Sequence, residues 1–151
     1  MSDTHGNSAL ARKALSLSEP VDAVLHLGDG SADAERLRET PGVPVVNVAG
    51  NCDVGGEAPR ELLWECAGKK ILLTHGDAYG VKSGLDRLEA RASEVGADAV
   101  LFGHSHRATH IVHPGLLILN PGTLSREARH HSYAVVHVTS DGITARLIDL
   151  D

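Results

Sequence analysis

Residues 98–106 read DAVLFGHSH, an apolar run that ends in glycine and passes straight into two histidines one residue apart. A short apolar run bounded by turn residues reads as a buried strand. Polar residues just past its end fall where open α/β sheets gather ligands, at the carboxyl edge of the strands. The pattern recurs upstream. AVLHLG at 23–28 is followed by Asp29, VPVVNVAG at 43–50 by Asn51-Cys52-Asp53, and KKILLT at 69–74 by His75-Gly76-Asp77. A fifth block, Ser2-Asp3-Thr4-His5-Gly6, precedes them all. Four blocks directly follow strands, so all five are expected on one edge of a sheet.

Between these strands the chain turns helical. SALARKALSLS at 8–18 has Asn7 or Ser8 as a cap, SADAERLRET at 31–40 stops at Pro41-Gly42, and SGLDRLEARASEVG at 83–96 stops at Gly96. Residues 52–60 are a Gly/Pro-rich loop, and ELLWECA at 61–67 pairs with KKILLTH at 69–75 as a hairpin around Gly68. The segments THIVHPG, LLILNPG, SYAVVHVTS and ITARLIDLD follow as short strands, the last two joined through Asp141-Gly142. Alternation of strand and helix over the first two thirds predicts parallel βαβ units. The strand-rich tail predicts a second, more antiparallel sheet packed on the first. No repeat or linker divides residues 1–151, and one domain is expected.

Composition narrows the function. Aromatics are only 3 % of the chain, so the core must be built from Val, Leu, Ile and Ala. There is no apolar run long enough for a membrane helix and no visible secretory leader. Two cysteines, Cys52 and Cys66, make no disulfide framework, and a reducing cytoplasm is the expected location. A formal charge of −6 argues against stable nucleic-acid binding. Ten histidines are many for this length, and several stand in short motifs beside Asp, Asn and Gly, which favours metal.

The candidate ligands are Asp3, His5, Asp29, Asn51, His75, His104 and His106. They are two carboxylates, one amide carbonyl and four imidazoles, a set suited to Mn, Fe, Zn, Ni or Mg rather than to thiophilic ions. Gathered without a cation they would repel one another and leave polar groups unpaired. A pair of divalent ions shared through Asp29 removes that conflict. Two ions roughly 3.5–4 Å apart clamp a phosphoryl group, and a hydroxide bridging them attacks phosphorus in line.

In order and spacing these blocks (D-x-H, GD, GN, H, GHxH) closely resemble the calcineurin-like metallophosphoesterase superfamily. Its small bacterial and archaeal phosphodiesterases match best. The resemblance spans nearly the whole chain, through Asn120-Pro121-Gly122 and the final hairpin. It implies a four-layer α/β/β/α sandwich of two mixed β-sheets flanked by helices. It also implies that Asp3, His5, Asp29 and His106 hold one metal and that Asp29, Asn51, His75 and His104 hold the other. The Asn120-Pro121-Gly122 turn is expected to back the site. Manganese is the first choice of ion, with Ni, Fe, Zn or Mg as alternatives. The substrate expected is a nucleotide or other small organic phosphodiester, with no membrane partner and with homo-oligomers open.

The chain departs from that pattern in three ways. Relatives carry about six apolar residues before the D-x-H block, forming the first central strand. Here that strand is missing or truncated, so Asp3 and His5 are expected to fray. Many relatives have a leaving-group His after Gly-Asn, where this chain has Cys52. Asn51 and His104 are expected at the reaction centre, with Asp53 or Cys52 as substitute acid. Finally, His75-Gly76-Asp77 replaces a common H-G-H. Plainer readings exist: a terminal Asp3, a core His75, a capping Asp29, a turn Asn51 and loop histidines at 104 and 106. Against five ordered blocks they carry less weight. His26, His110, His113, His130, His131 and His137 read as core or solvated. The competing functions are a non-catalytic scaffold like the retromer subunit Vps29, which shares this fold, and an N-terminally truncated member with weak activity.

Overall fold

The computed structural model describes residues 1–151. Helix α1 (Ser8–Ser18) begins where the Asn7 side chain accepts the Leu10 amide at 3.4 Å, and Ala11, Ala14 and Leu15 form its buried stripe. Helix α2 (Ser31–Leu37) ends earlier than expected, because the Arg38 amide already turns back onto the Ala34 and Glu35 carbonyls. Pro41 disfavours helical backbone at the residue before it, so the helical pattern through Thr40 is not realised. Helix α3 (Asp86–Glu94) stops at Gly96, whose φ of 65° only glycine adopts freely.

Strands β1 (Val24–His26) and β2 (Val45–Asn47) pair in parallel. The central sheet runs β3 (Glu61–Cys66), β4 (Lys69–Thr74), β5 (Ala99–Leu101), β7 (Leu116–Asn120), β6 (Thr109–His113). Its middle three strands are parallel and its edges antiparallel. The β3–β4 turn uses Ala67 (φ 50°) and Gly68 (φ 75°), the left-handed pair a two-residue hairpin demands. Strands β8 (Ser132–Thr139) and β9 (Gly142–Asp149) pair only with each other, and Gly142 already belongs to β9, so that turn is Ser140-Asp141.

Three apolar clusters stack these elements into four layers. Helices α1 and α2 pack on one side of β1, β2 and β8 through Ala11, Leu15, Leu37 and Tyr133. The other side of that layer packs on the central sheet through Leu27, Val48, Ile71, Leu101 and Leu119. Helix α3 covers the far face through Leu88, Ala92, Val100 and Phe102. The fold is therefore the expected α/β/β/α sandwich, with one correction. Strands β6 and β7 join the central sheet, so the strand-rich tail does not form a sheet of its own. Only β8 and β9 do so, and the layer facing α1 and α2 consists of two two-stranded pieces. A cleft of about 370 Å³ separates β1 from β8, lined by Leu25, Leu27, Trp64, Tyr133, Val136 and Val138.

Residues 1–5 lie against the end of β1 beside that cleft. The Met1 amine donates to the Leu25 carbonyl, the Leu27 amide to Met1, the Asp3 amide to Gly28 and the His5 amide to Asp29, at 2.9–3.0 Å. Burial pushes the Met1 amine down to about 5, against the pull of Asp3. Asp3 is fully buried, so the fraying expected of the D-x-H block does not occur. Backbone pairing with β1 holds it in place.

The core should show its tight packing on truncation. Leu88 is fully buried against Val100 and Phe102, so Leu88→Ala is expected to lose about 2–5 kcal/mol. In urea unfolding the midpoint falls and the slope stays unchanged.

Candidate metal centre

The carboxyl ends of β1, β2, β4 and β5 lie together, and the polar blocks that follow them meet across the two middle layers. Asp3, His5 and His106 present ligand atoms within 4.8 Å of one another, and Asp29, His75 and His104 form a second such group. Carboxylates and rings interlock: His106 Nε2 lies 3.1 Å from Asp3 Oδ1, and His75 Nε2 lies 3.3 Å from Asp29 Oδ2. His5 Nε2 stands 3.8 Å from both Asp3 and Asp29. Asn51 is exposed at the rim, where its amide nitrogen donates to Cys52 Sγ at 3.5 Å.

Hydrogen bonding decides which atoms remain free. Asp3 Oδ2 accepts from the Ser2 hydroxyl at 2.5 Å and the His104 amide at 3.0 Å, while Asp3 Oδ1 is buried without any hydrogen-bond donor. Asp29 Oδ1 accepts the Cys52 amide at 2.8 Å, which leaves Oδ2 turned to His75. The Leu27 carbonyl lies 2.8 Å from His75 Nδ1, so the proton sits there and Nε2 is left as an acceptor, 3.2 Å from His104 Nδ1. Burial, reinforced by Lys82, moves His104 below the usual imidazole range, so its ring stays neutral. Imidazole nitrogens and carboxylate oxygens thus crowd around a buried carboxylate oxygen that has no hydrogen-bond partner. A cation satisfies such a set, and the mixture of N and O donors fits a borderline to hard divalent ion.

The backbone is bent to achieve this. Six non-glycine residues have positive φ, and five of them are Asp3, His5, Asp29, His104 and His106. Left-handed backbone costs a side-chain-bearing residue roughly 1–2 kcal/mol, and such strain collects where surrounding structure holds a site in place. Two glycines allow the close approach. A Cβ on Gly50 would lie 2.0 Å from Asp29 Oδ1, and one on Gly103 would lie 2.0 Å from Ser2 Oγ.

Several residues support the site, among them Thr123 and Asp33, which carried no distinct signal in the sequence. Thr123 Oγ1 donates to the Asp3 carbonyl at 3.0 Å, Asn7 Nδ2 to the Leu124 carbonyl at 2.8 Å, and the Gly6 amide to Asp33 at 2.8 Å. Asn120 Nδ2 donates to the Gly103 carbonyl at 2.9 Å, so the Asn120-Pro121-Gly122 turn does back the GHSH loop. Asp77 pairs with Arg60, whose other nitrogen donates to the Gly50 carbonyl at 2.6 Å, tying two of the loops together. His26 is buried under the site: the Gly28 amide donates to its Nδ1, so its Nε2 carries the proton and donates to Thr4 Oγ1 at 3.1 Å. His113 and His131 stand apart, beside Glu89 and Asp151.

Asp53 does not fit the role of acid. Burial alone would raise its carboxyl, but hydrogen bonds from Ser31, Gly50 and Gly30 outweigh it and hold the group below the usual carboxylate range. Its oxygens face backbone amides. Cys52 is closer to the donors than a ligand set without sulfur anticipated, since it lies within 4.8 Å of the His5 and Asp29 ligand atoms. The Asp29 carboxylate beside it, together with burial, pushes its thiol up, so it keeps its proton at neutral pH.

Comparison with known proteins identifies the family. Residues 1–141 match the model of the calcineurin-like phosphoesterase superfamily domain. The chain is 39 % identical over 152 residues to the probable metallophosphoesterase YsnB of Bacillus subtilis (strain 168), across 99 % of this chain and 88 % of that one. A structure described as a novel archaeal phosphodiesterase superposes with a TM-score of 0.79 at 23 % identity, covering 99 % and 97 % of the two chains. Vps29 of Entamoeba histolytica complexed with zinc gives 0.74 at 18 %, covering 99 % and 97 %. At those identities the two structures speak for the fold alone.

His26 makes stability depend on acid. Its folded pKa is pushed down to about 3, first by burial and then by the Met1 amine, against 6.5 when unfolded. The unfolded chain therefore takes up a proton the folded one refuses. The stabilisation is full above pH 6.5 and drains as pH falls toward 3, by about 1.4 kcal/mol per unit. Urea unfolding of wild type and His26→Gln should show a gap that narrows by about 3 kcal/mol from pH 7.5 to 4.5. A gap that does not change with pH contradicts this.

Proposed function

Because the chain belongs to the calcineurin-like phosphoesterase superfamily, we propose that it is a phosphodiesterase working with two divalent ions, manganese before the others. The observation that carries this reading is the buried, donor-free Asp3 Oδ1 with imidazole nitrogens turned toward it. Asp3, His5, Asp29 and His106 hold one ion; Asp29, Asn51, His75 and His104 hold the other. When bound, the ions supply positive charge to the phosphoryl oxygens and acidify water.

The chain's own groups do the rest. Asp29 is shared between the two sets, one oxygen pinned by the Cys52 amide and the other directed at His75. The Leu27 carbonyl fixes the His75 tautomer, so its free nitrogen points into the site. Asn51 and His104 line the open side, where the ester lies. Cys52 takes the sequence position after Asn51 where many relatives carry a leaving-group His, and a thiol that holds its proton this firmly is a weak acid, which suits substrates with good leaving groups. The acidic chain disfavours polymeric nucleic acid, so the substrate is a small phosphodiester.

The expected result is turnover of bis-p-nitrophenyl phosphate with added Mn²⁺, stopped by EDTA and lowered at least about 100-fold by His104→Ala. Diester hydrolysis should exceed monoester hydrolysis. No rate above background with Mn, Ni, Fe, Zn or Mg would overturn the proposal.

A further inference from the structure

A carboxylate offers about four lone-pair positions, and at Asp53 all are taken by the main chain. Oδ1 accepts the amides of Gly30 at 3.0 Å and Ser31 at 2.9 Å. Oδ2 accepts the amides of Asp29 and Gly50, both at 2.8 Å. The Asp53 amide in turn donates to the Gly50 carbonyl at 3.3 Å. Nothing on this side chain is left for an ion or a substrate.

The four amides belong to two loops. One leaves β1 and carries Asp29; the other leaves β2 and carries Asn51. The loops touch so closely that a Cβ on Gly50 would lie 2.5 Å from the Asp29 nitrogen. Amide N–H groups converging like this repel one another and together favour an anion between them. The first loop also holds Asp29 at a φ of 55°, a conformation that needs outside support.

We propose that Asp53 is a positioning residue that sets the separation of Asp29 from Asn51, and so the affinity of the ion those two share. This rests on reading Asp29 and Asn51 as ligands. Replacing one carboxylate oxygen by an amide, as in Asp53→Asn, turns an NH₂ toward two N–H donors and forces the loops apart. The group of Asp3, His5 and His106 lies on other loops and keeps its geometry.

The test titrates Mn²⁺ into metal-free protein by calorimetry, with electron paramagnetic resonance to tell a coupled pair of ions from isolated ones. Wild type should take up two ions with a coupled signal. Asp53→Asn should lose at least tenfold in affinity at the site that Asn51 helps to hold and show an isolated-ion spectrum, while the other site, which shares Asp29 but keeps Asp3, His5 and His106, weakens less. Leu88→Ala, destabilised but remote from the donors, should keep both affinities, which separates positioning from general loss of stability. A second measurement needs no variant: hydrogen exchange on metal-free wild type should find the amides of Asp29, Gly30, Ser31 and Gly50 protected. Two ions bound by Asp53→Asn at wild-type affinity, or free exchange at those four amides, would overturn the positioning role alone. A wild type that binds no ion would instead remove the metal reading, and this proposal with it.

Discussion

Carboxylates and imidazoles crowd one another at the centre of this molecule. Asp3 Oδ1 is buried with no donor, Asp29 Oδ2 faces His75 Nε2 at 3.3 Å, and His106 Nε2 approaches Asp3 at 3.1 Å. Burying a carboxylate oxygen without a partner is costly in a medium of low dielectric unless a compensating charge is present. Much of the surrounding structure holds these groups together against that cost. Five left-handed backbones at the site are part of the same balance.

The holding is done by main chain more than by packing. Residues 1–5 pair with the end of β1, Thr123 anchors the Asp3 carbonyl, Asn120 braces the GHSH loop, and Arg60 links the Gly50 loop to Asp77. His26 and Asp53 each satisfy backbone amides beneath the donors. The apolar clusters lie to the sides of this polar junction and fix the layers from which the loops emerge. The apolar cleft between β1 and β8 contains none of the donor residues, so it belongs to the architecture of the layer rather than to the site.

Much of the architecture could be read from local pattern. The Asn7 cap, the Gly96 stop and the Gly68 turn each follow from a conformation or a hydrogen bond that one residue supplies by itself. Strands β1, β2, β4 and β5 followed from apolar runs broken by glycine, threonine or histidine. The assignment of tail strands to sheets was not legible, because β6 and β7 look the same whether they pair with each other alone or also with β5. Pairing partners far apart in the chain leave no periodic trace. Asp53 shows the same limit: as an acid beside Asn51 it invites a chemical role, and only its four amide partners reveal a structural one.

The amino-acid sequence by itself determined the kinds of donor, their order, and their place just past the ends of strands. Those are properties of residue type and local backbone preference. The folded chain alone decided which oxygen of each aspartate is free, which nitrogen of His75 carries the proton, and that Cys52 lies close to Asp29. Each of those depends on a hydrogen bond between residues more than twenty positions apart, or on two loops from different strands touching. Contacts of that kind exist only once the layers have closed.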